Sequence, residues 1–367
     1  MKLSVTRDSL HTGMGAVSAT IPTKTTLPVL SNILLEARDG KLTLSGTDLD
    51  ISVTVSIDAE VEVEGSVTVP AKKFAEIARE LPAAPVHIQA DGVEIHIESG
   101  KSRFKLFGLP TEEFPSFPEV DSGEAWTMQA VDLHELISKT SFAASTEESR
   151  PILNGVLWQL GEGKASMVAT NGHRLARLTV PLEGGGAPEA DLIVPPKALQ
   201  QVSRLFPKDG ELAVSRSRNH LAFRTDTRAV FTRLIEGPYP NYQQVIPTDN
   251  DKKAIVSRDG LAAAIRRMAV VASDQTHRVR MSFSEGSLSF RVQTPDLGEA
   301  EEEMTIDYEG ETIEIGFNAN YVLEVLRYMP EEDVLVEFKA PERAATFKPA
   351  SGELDYLCLV MPLRLLD

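Results

Sequence analysis

The strongest constraint on this chain is a fourteen-residue segment that recurs three times. "VPAKKFAEIARELP" (69–82), "VPPKALQQVSRLFP" (194–207) and "FNANYVLEVLRYMP" (317–330) begin 125 and 123 residues apart, and each ends in proline. Apolar side chains fall at matching places: Phe74, Ile77 and Leu81; Leu199, Val202 and Phe206; Val322, Val325 and Met329. That spacing predicts a helix with one buried face, stopped by the proline. A second triplet runs in step. "LSGTDLDISV" (44–53), "MVATNGHRLARL" (167–178) and "RVQTPDLGEAEE" (291–302) place Thr47, Thr170 and Thr294 at intervals of 123 and 124. A third, looser set, "RDSLHTGMGAV", "AVDLHELISKT" and "RDGLAAAIRRM", aligns Leu10, Leu133 and Leu261. The chain therefore reads as three copies of a unit of about 120 residues.

Polar, proline-bearing stretches at "PEVDSGEAW" (118–126) and "IPTDNDKKA" (246–254) divide the copies, giving domains at 1–122, 123–249 and 250–367. Within each copy a short strand leads into an amphipathic helix, strands follow, and the proline-bounded helix and more strands close the unit. Asp39-Gly40 and Asp91-Gly92 between alternating runs predict hairpins. Each domain is expected to be α+β, with two helices against antiparallel sheet. Doubling inside each copy is also expected, because both halves run strand, helix, strands.

Several function classes lose support. No apolar run reaches the length of a membrane span, and "MKLSVTRDSL" reads as a strand, not a targeting segment. The single cysteine, Cys358, cannot pair internally and reads as a buried reduced thiol in a cytoplasmic protein. Neither a phosphate-binding Gly-rich loop nor a G-x-S-x-G or H-E-x-x-H motif is present. The run "EGGGAPEA" (183–190) reads as a flexible loop. His87 and His96 are expected to face each other across a hairpin without a third ligand nearby. No cofactor, metal or catalytic set is expected.

The net charge of −17 argues against nucleic acid, but its distribution points the other way. The six predicted helical segments together carry +5, so the remainder carries −22. One reading is ordinary solvated helix faces. The other is a helical surface that meets phosphate while the acidic remainder repels it.

One segment breaks the symmetry. "TNGHRL" (170–175) has the counterparts "TDLDIS" and "TPDLGE", which keep the threonine but lack His and Arg. His173 could be a base, a ligand or a recognition contact. No acid, metal partner or nucleophile stands beside it, and an unequal copy implies a task particular to the second domain.

"RPILNGVL" (150–157), "TNGHRLARL" (170–178), "EGPYPNYQQVIP" (236–247), "FNANYVLEVL" (317–326) and "VMPLRL" (360–365) follow one another in that order. "LPVLSNILLE", "TDLDISV", "VPAKKF" and "SRFKLFGLP" precede them. In these motifs the chain resembles the bacterial DNA polymerase III beta subunit family, the replicative sliding clamps, over essentially all 367 residues. The resemblance implies a head-to-tail homodimer closing six domains into a ring, with helices lining the hole. It implies sequence-independent encirclement of double-stranded DNA and a non-catalytic role in processive synthesis. It also implies partners: the polymerase III catalytic subunit, the clamp loader, and other polymerases and repair proteins carrying clamp-binding peptides.

The family's peptide groove lies between the second and third domains. Carried over by motif, Arg150 and Leu153 contribute from the first, and Thr170, Gly172, His173, Arg174 and Leu175 from the second. Pro240 and Val245 follow, then Asn318 and Tyr321, then Met361, Pro362, Leu363 and Arg364. Leu175, Val245, Met361 and Leu363 would form pockets for Leu and Phe anchors, while Arg174 and Arg364 would donate to peptide carbonyls or acids. Gly172 would permit a tight turn. For DNA the resemblance implies Lys24, with Arg79, Lys197, Arg204, Arg266 and Arg267 on helices. For the dimer it implies Phe104 and Leu106 against Val270 and Val271. The chain departs from the family at Gln244, where relatives often carry Arg, and at Glu147, in a loop that touches DNA in relatives. The segment 273–281, with Thr276 and His277, lacks an expected aromatic, and the tail runs on through Leu366 and Asp367.

Overall fold

A computed structural model of the chain describes residues 1–118, 120, 124–182, 187–295 and 297–365. Residues 183–186, the boundary at 122 and 123, and the tail at Leu366 and Asp367 lie outside the described residues. Among the described residues six α-helices form where the apolar periodicity placed them: α1 (Arg7–Ser18), α2 (Ala71–Glu80), α3 (Ala130–Thr140), α4 (Pro196–Leu205), α5 (Arg258–Ala269) and α6 (Ala319–Tyr328). Thr6, Ser257 and Asn318 cap α1, α5 and α6 by accepting from backbone N–H groups of the first turn. Leu81, Phe206 and Met329, each followed by proline, end the three repeated helices.

The chain folds into two compact units that cut across the three copies. The first comprises chiefly Met1–Val131 and Lys197–Leu234. Its five-stranded antiparallel sheet runs in the order Glu60–Val63, Lys2–Val5, Val86–Asp91, Glu94–Ser99, Ser102–Phe107. Its eight-stranded sheet runs Glu124–Gln129, Glu211–Arg216, His220–Arg224, Arg228–Arg233, Ile51–Asp58, Lys41–Thr47, Asn32–Arg38, Gly65–Pro70. The two copies meet where Ile51–Asp58 pairs antiparallel with Arg228–Arg233, Phe231 standing opposite Ser52. Helices α1 and α2 pack on each other and bury Leu10, Met14, Val17, Phe74 and Ala78.

The second unit comprises Asp132–Glu183, Glu189–Pro196 and Ile235–Asp367. Its nine-stranded sheet contains the corresponding seam, Arg174–Pro181 against Asp355–Val360, with Leu175 opposite Leu359 and Ala176 opposite Cys358. Its four-stranded sheet runs Gly298–Thr305, Ser287–Thr294, Arg278–Ser284, Ile313–Asn318. Helices α5 and α6 pack together over it. The glutamate-rich run at 299–304 is strand Gly298–Thr305, with its side chains alternating along a sheet edge. Cys358 is buried, and burial pushes its thiol up to about 12.

The two Asp-Gly turns form hairpins: Asn32–Arg38 with Lys41–Thr47, and Val86–Asp91 with Glu94–Ser99. Asp39 and Gly40 both take positive φ, 49° and 71°, which matches the twist of a two-residue hairpin turn. One expectation is corrected here. His87 pairs with Glu98 and His96 with Gln89, so the two histidines do not face each other. The register is offset by two residues, and His96 instead contacts Glu94 at 2.7 Å.

Candidate functional site

The groove candidates all belong to the second unit. At its centre is the turn joining strands Lys164–Thr170 and Arg174–Pro181. Thr170 Oγ1 donates to the Arg174 carbonyl at 2.6 Å and accepts from Gly172 N at 3.1 Å. Asn171 Oδ1 accepts from both His173 N and Arg174 N at 3.0 Å. Gly172 sits at φ +86°, and a Cβ there would lie 3.0 Å from Arg150 Nη1, which places Arg150 directly over the turn. The first unit builds the same turn: Thr47 Oγ1 donates to Ile51 O and accepts from Leu49 N, and Asp48 Oδ1 accepts from Ile51 N.

The His173 ring lies parallel to that of Tyr321, 6.3 Å between centroids. Asn318 brings Tyr321 there, because its side chain accepts from Asn320 N and Tyr321 N to start α6. The chain end is laced to the same place: Met361 N donates to His173 O, and Leu363 N to Gly316 O, both at 2.8 Å. A side chain at Gly316 would collide with the Leu363 carbonyl at 2.8 Å, so glycine lets the terminal segment lie flat. Arg278 holds the Arg364 carbonyl at 2.8 Å, leaving the Arg364 side chain exposed.

Arg174 lies deeper than the other groove candidates. It is 7% exposed and stands opposite Val360 in the seam. Its guanidinium lies over the Tyr321 ring at 4.9 Å and the Phe142 ring at 5.4 Å. It donates to Glu324 and, at 2.6 Å, to Phe142 O, so it has little left to offer a peptide. Burial lowers its pKa, opposed by the neighbouring tyrosines and Cys358. Leu175, 1% exposed, likewise lies beneath the surface. It joins Leu157, Val168, Ile193, Tyr242, Leu357 and Leu359 in an apolar floor.

Sequence reasoning missed the half-buried residues packed on that floor: Ile152, Ile235, Tyr239 and Ile246. Three of them lie inside motifs already singled out, where their apolar character was the available signal. Leu153 is half-buried beside Ile152, while Pro240, Val245 and Gln244 are exposed on the loop that supplies Tyr239, Tyr242 and Ile246. Met361 is exposed and Pro362 half-buried, so an apolar rim stands over the apolar floor. Glu147 is 3.8 Å from Arg150.

The cations divide into two kinds. Lys197 Nζ contacts Asp48 at 2.5 Å, Arg79 is paired with Glu80 at 2.9 Å, and Arg267 Nε with Glu302 at 2.8 Å. Arg204 donates to the carbonyls of Gly15 and Ala16 at 2.8 and 2.5 Å, closing the end of α1. These four candidates for phosphate contact each have a partner within the chain. Lys24 and Arg266 are exposed and, among the described residues, have no ion-pair partner. Arg266 lines an open cleft of about 980 Å³ between α5 and α6 with Arg258, Arg327, Tyr321 and Glu324.

Two of the strands that end sheets among the described residues bear on assembly. Ser102–Phe107 ends the five-stranded sheet of the first unit, with Phe104 and Leu106 opposite Ile97 and Ile95 on its apolar face. Gly298–Thr305 ends the four-stranded sheet of the second. Val270, 77% exposed, and the half-buried Val271 follow the last turn of α5. Among the described residues there is no group of three or more His, Cys, Asp or Glu side chains able to hold a metal, and no helix long and apolar enough to cross a membrane.

Comparison with known proteins covers the whole chain. Residues 1–118, 127–241 and 243–364 match the N-terminal, central and C-terminal domain models of the DNA polymerase III beta subunit. The beta sliding clamp of Pseudomonas putida is 32% identical over 370 residues, covering 100% of both chains. That of Caulobacter vibrioides is 34% identical over 373 residues, covering 99% of this chain and 100% of its own. A crystal structure of the DNA polymerase sliding clamp of Pseudomonas aeruginosa superimposes with a TM-score of 0.95 at 32% identity, covering 100% of each.

Proposed function

Because the chain belongs to the DNA polymerase III beta subunit family, a family of processivity factors without catalytic activity, we propose that it closes into a dimeric ring around duplex DNA and holds its partners through the groove at Gly172. Its α+β fold of three clamp domains and its role as a sliding clamp for DNA polymerase III follow from membership. The dimer, the groove and the partners are our reading, as are domain limits at 1–122, 123–249 and 250–367 and a place in the cytoplasm.

The observation that supports the ring is a pair of edge strands of opposite charge, Ser102–Phe107 and Gly298–Thr305. Inside the chain, each junction between copies is an antiparallel strand pair. The same junction made between Ser102–Phe107 of one protomer and Gly298–Thr305 of its partner would satisfy both edges and, by symmetry, close a ring. Charge supports it: Arg103 and Lys105 are exposed on the first strand, and four glutamates stand on the second. Val270 occupies, one copy on, the place of Phe142, the residue that packs across the internal junction onto Tyr328. Phe104, Leu106, Val270 and Val271 would form the apolar part of that contact.

The groove offers an apolar floor and rim around a glycine turn, flanked by Arg150, His173 and Arg364. That suits an extended peptide with Leu and Phe anchors, as the polymerase III catalytic subunit, the clamp loader and repair proteins would present. Lys24 and Arg266 are the strongest candidates for transient phosphate contacts. The decisive experiment loads the protein onto a circular duplex and then linearises it. Retention on the circle and loss from the cut molecule support a topological hold; equal loss from both refutes it.

A further inference from the structure

The chain contains two homologous seams between copies, and the groove candidates sit at only one. A shift of 123 residues maps Ile51 onto Arg174, Ala19 onto Phe142, Ala198 onto Tyr321, Gln201 onto Glu324 and Leu205 onto Tyr328. At the second seam these five form a cation-aromatic box. The Arg174 guanidinium lies between the Phe142 and Tyr321 rings and is bonded to Glu324 and to the Phe142 carbonyl. Phe142 stacks on Tyr328, 4.6 Å between centroids at an interplanar angle of 13°. At the first seam the same places hold a buried isoleucine, two alanines, a glutamine and a leucine.

The first seam forms the same strand pairing without a buried guanidinium between aromatic rings, Arg204 instead donating from α4 to Gln201 and to the Gly15 and Ala16 carbonyls, so pairing does not require the box. Nor is the box an economical source of stability. Burying a guanidinium carries a large desolvation cost, and apolar replacement of buried ionic groups is often neutral or favourable. The Arg174 Nε is buried and has no hydrogen-bond partner among the described residues. What the box does determine is the place of Tyr321, whose ring has the Arg174 guanidinium and the His173 ring as neighbours.

We propose that Arg174, Phe142 and Glu324 are positioning residues: without touching the peptide, they hold Tyr321 and the 171–173 turn in the geometry that receives it. Glu324 is the counter-charge that keeps the guanidinium in place, and a preformed wall spares the bound state the ordering of that wall. The inference rests on the groove reading above.

The test transplants the first seam into the second. The full-length Arg174→Ile, Glu324→Gln double variant is compared with wild type by thermal melting and by anisotropy of a fluorescein-labelled pentapeptide ending in Leu-Phe. The double variant is expected to melt within a few degrees of wild type and to bind the peptide at least about tenfold more weakly. Unchanged affinity overturns the inference. So does a fall in melting temperature beyond about 10 °C, which would make the box a support of the fold itself. A wild type that ignores the peptide removes the groove reading and this inference with it. Glu324→Gln alone, which keeps the side-chain shape, is judged by the same two measurements and the same outcomes.

Discussion

Leu49, at φ +80°, and Gly172, at φ +86°, occupy the same position in two copies of one turn. Left-handed backbone costs a non-glycine residue about 1–2 kcal/mol. Leu49→Gly should therefore be neutral or stabilise the first unit by up to about 1 kcal/mol, the relief being offset by greater freedom in the unfolded chain. Gly172→Ala should cost about 1 kcal/mol, displace Arg150 and weaken peptide binding. Urea titration of each variant measures both signs, and a stabilised Gly172→Ala protein would contradict the equivalence.

Removing a free cation should differ from removing a committed one. Lys24→Ala and Arg266→Ala should each lower the slope of log affinity against log salt for duplex DNA by about 1 if the side chain meets phosphate, and leave the fold unchanged. Arg204→Ala should instead lose about 1–2 kcal/mol of stability, because its donors close the α1 carbonyls of Gly15 and Ala16. Salt titration and denaturation of the three variants separate these outcomes. A stable Arg204→Ala protein with a reduced salt slope would reverse the assignment.

The two edge strands carry opposite charge, so their pairing should be reversible by design. Arg103→Glu with Lys105→Glu should yield monomers in sedimentation velocity, and so should Glu301→Lys with Glu303→Lys. An equimolar mixture should recover dimers, since both junctions of the mixed dimer are then complementary. Dimers that persist in both separate variants would show that these strands do not meet.

Asp249 accepts from Arg343 at 2.7 and 2.9 Å and from Lys339 at 2.9 Å. Arg343 first, then Lys339, holds this exposed carboxyl at about 2, below its ordinary 3.8. A depressed carboxyl stabilises the fold fully above its unfolded value, and the contribution is lost as pH falls through the folded one. The gap in denaturation midpoint between wild type and Asp249→Asn should be constant above about pH 4 and narrow between pH 4 and 2. A gap independent of pH across that window would mean that the ion pairs contribute nothing.

The helices and their buried faces were legible because a 3.6-residue period is local, and Asp39-Gly40 announced its turn within two residues. The groove's motifs were visible for a similar reason: Thr170, Asn171 and Gly172 are turn chemistry written in sequence order. The fate of the charges was not. Arg174 reads as a surface donor, with no local sign of Glu324, 150 residues away, and nothing near Lys197 announces Asp48, 149 residues away. Pairing of Ile51–Asp58 with Arg228–Arg233 has no signal within either strand. His87 and His96 show the related error of register, where a shift of two residues keeps the face but changes the neighbour.

The seams also bear on how such a gene can be damaged. A chain stopped between the second and third copies would leave the ladder of Arg174–Pro181 unpaired, in addition to the bare strand Ser102–Phe107. Each edge is a template for another copy, and a head-to-tail contact that fails to close runs on as a fibre. A premature stop at that point would turn a finite particle into an aggregation seed, a different injury from losing a binding surface.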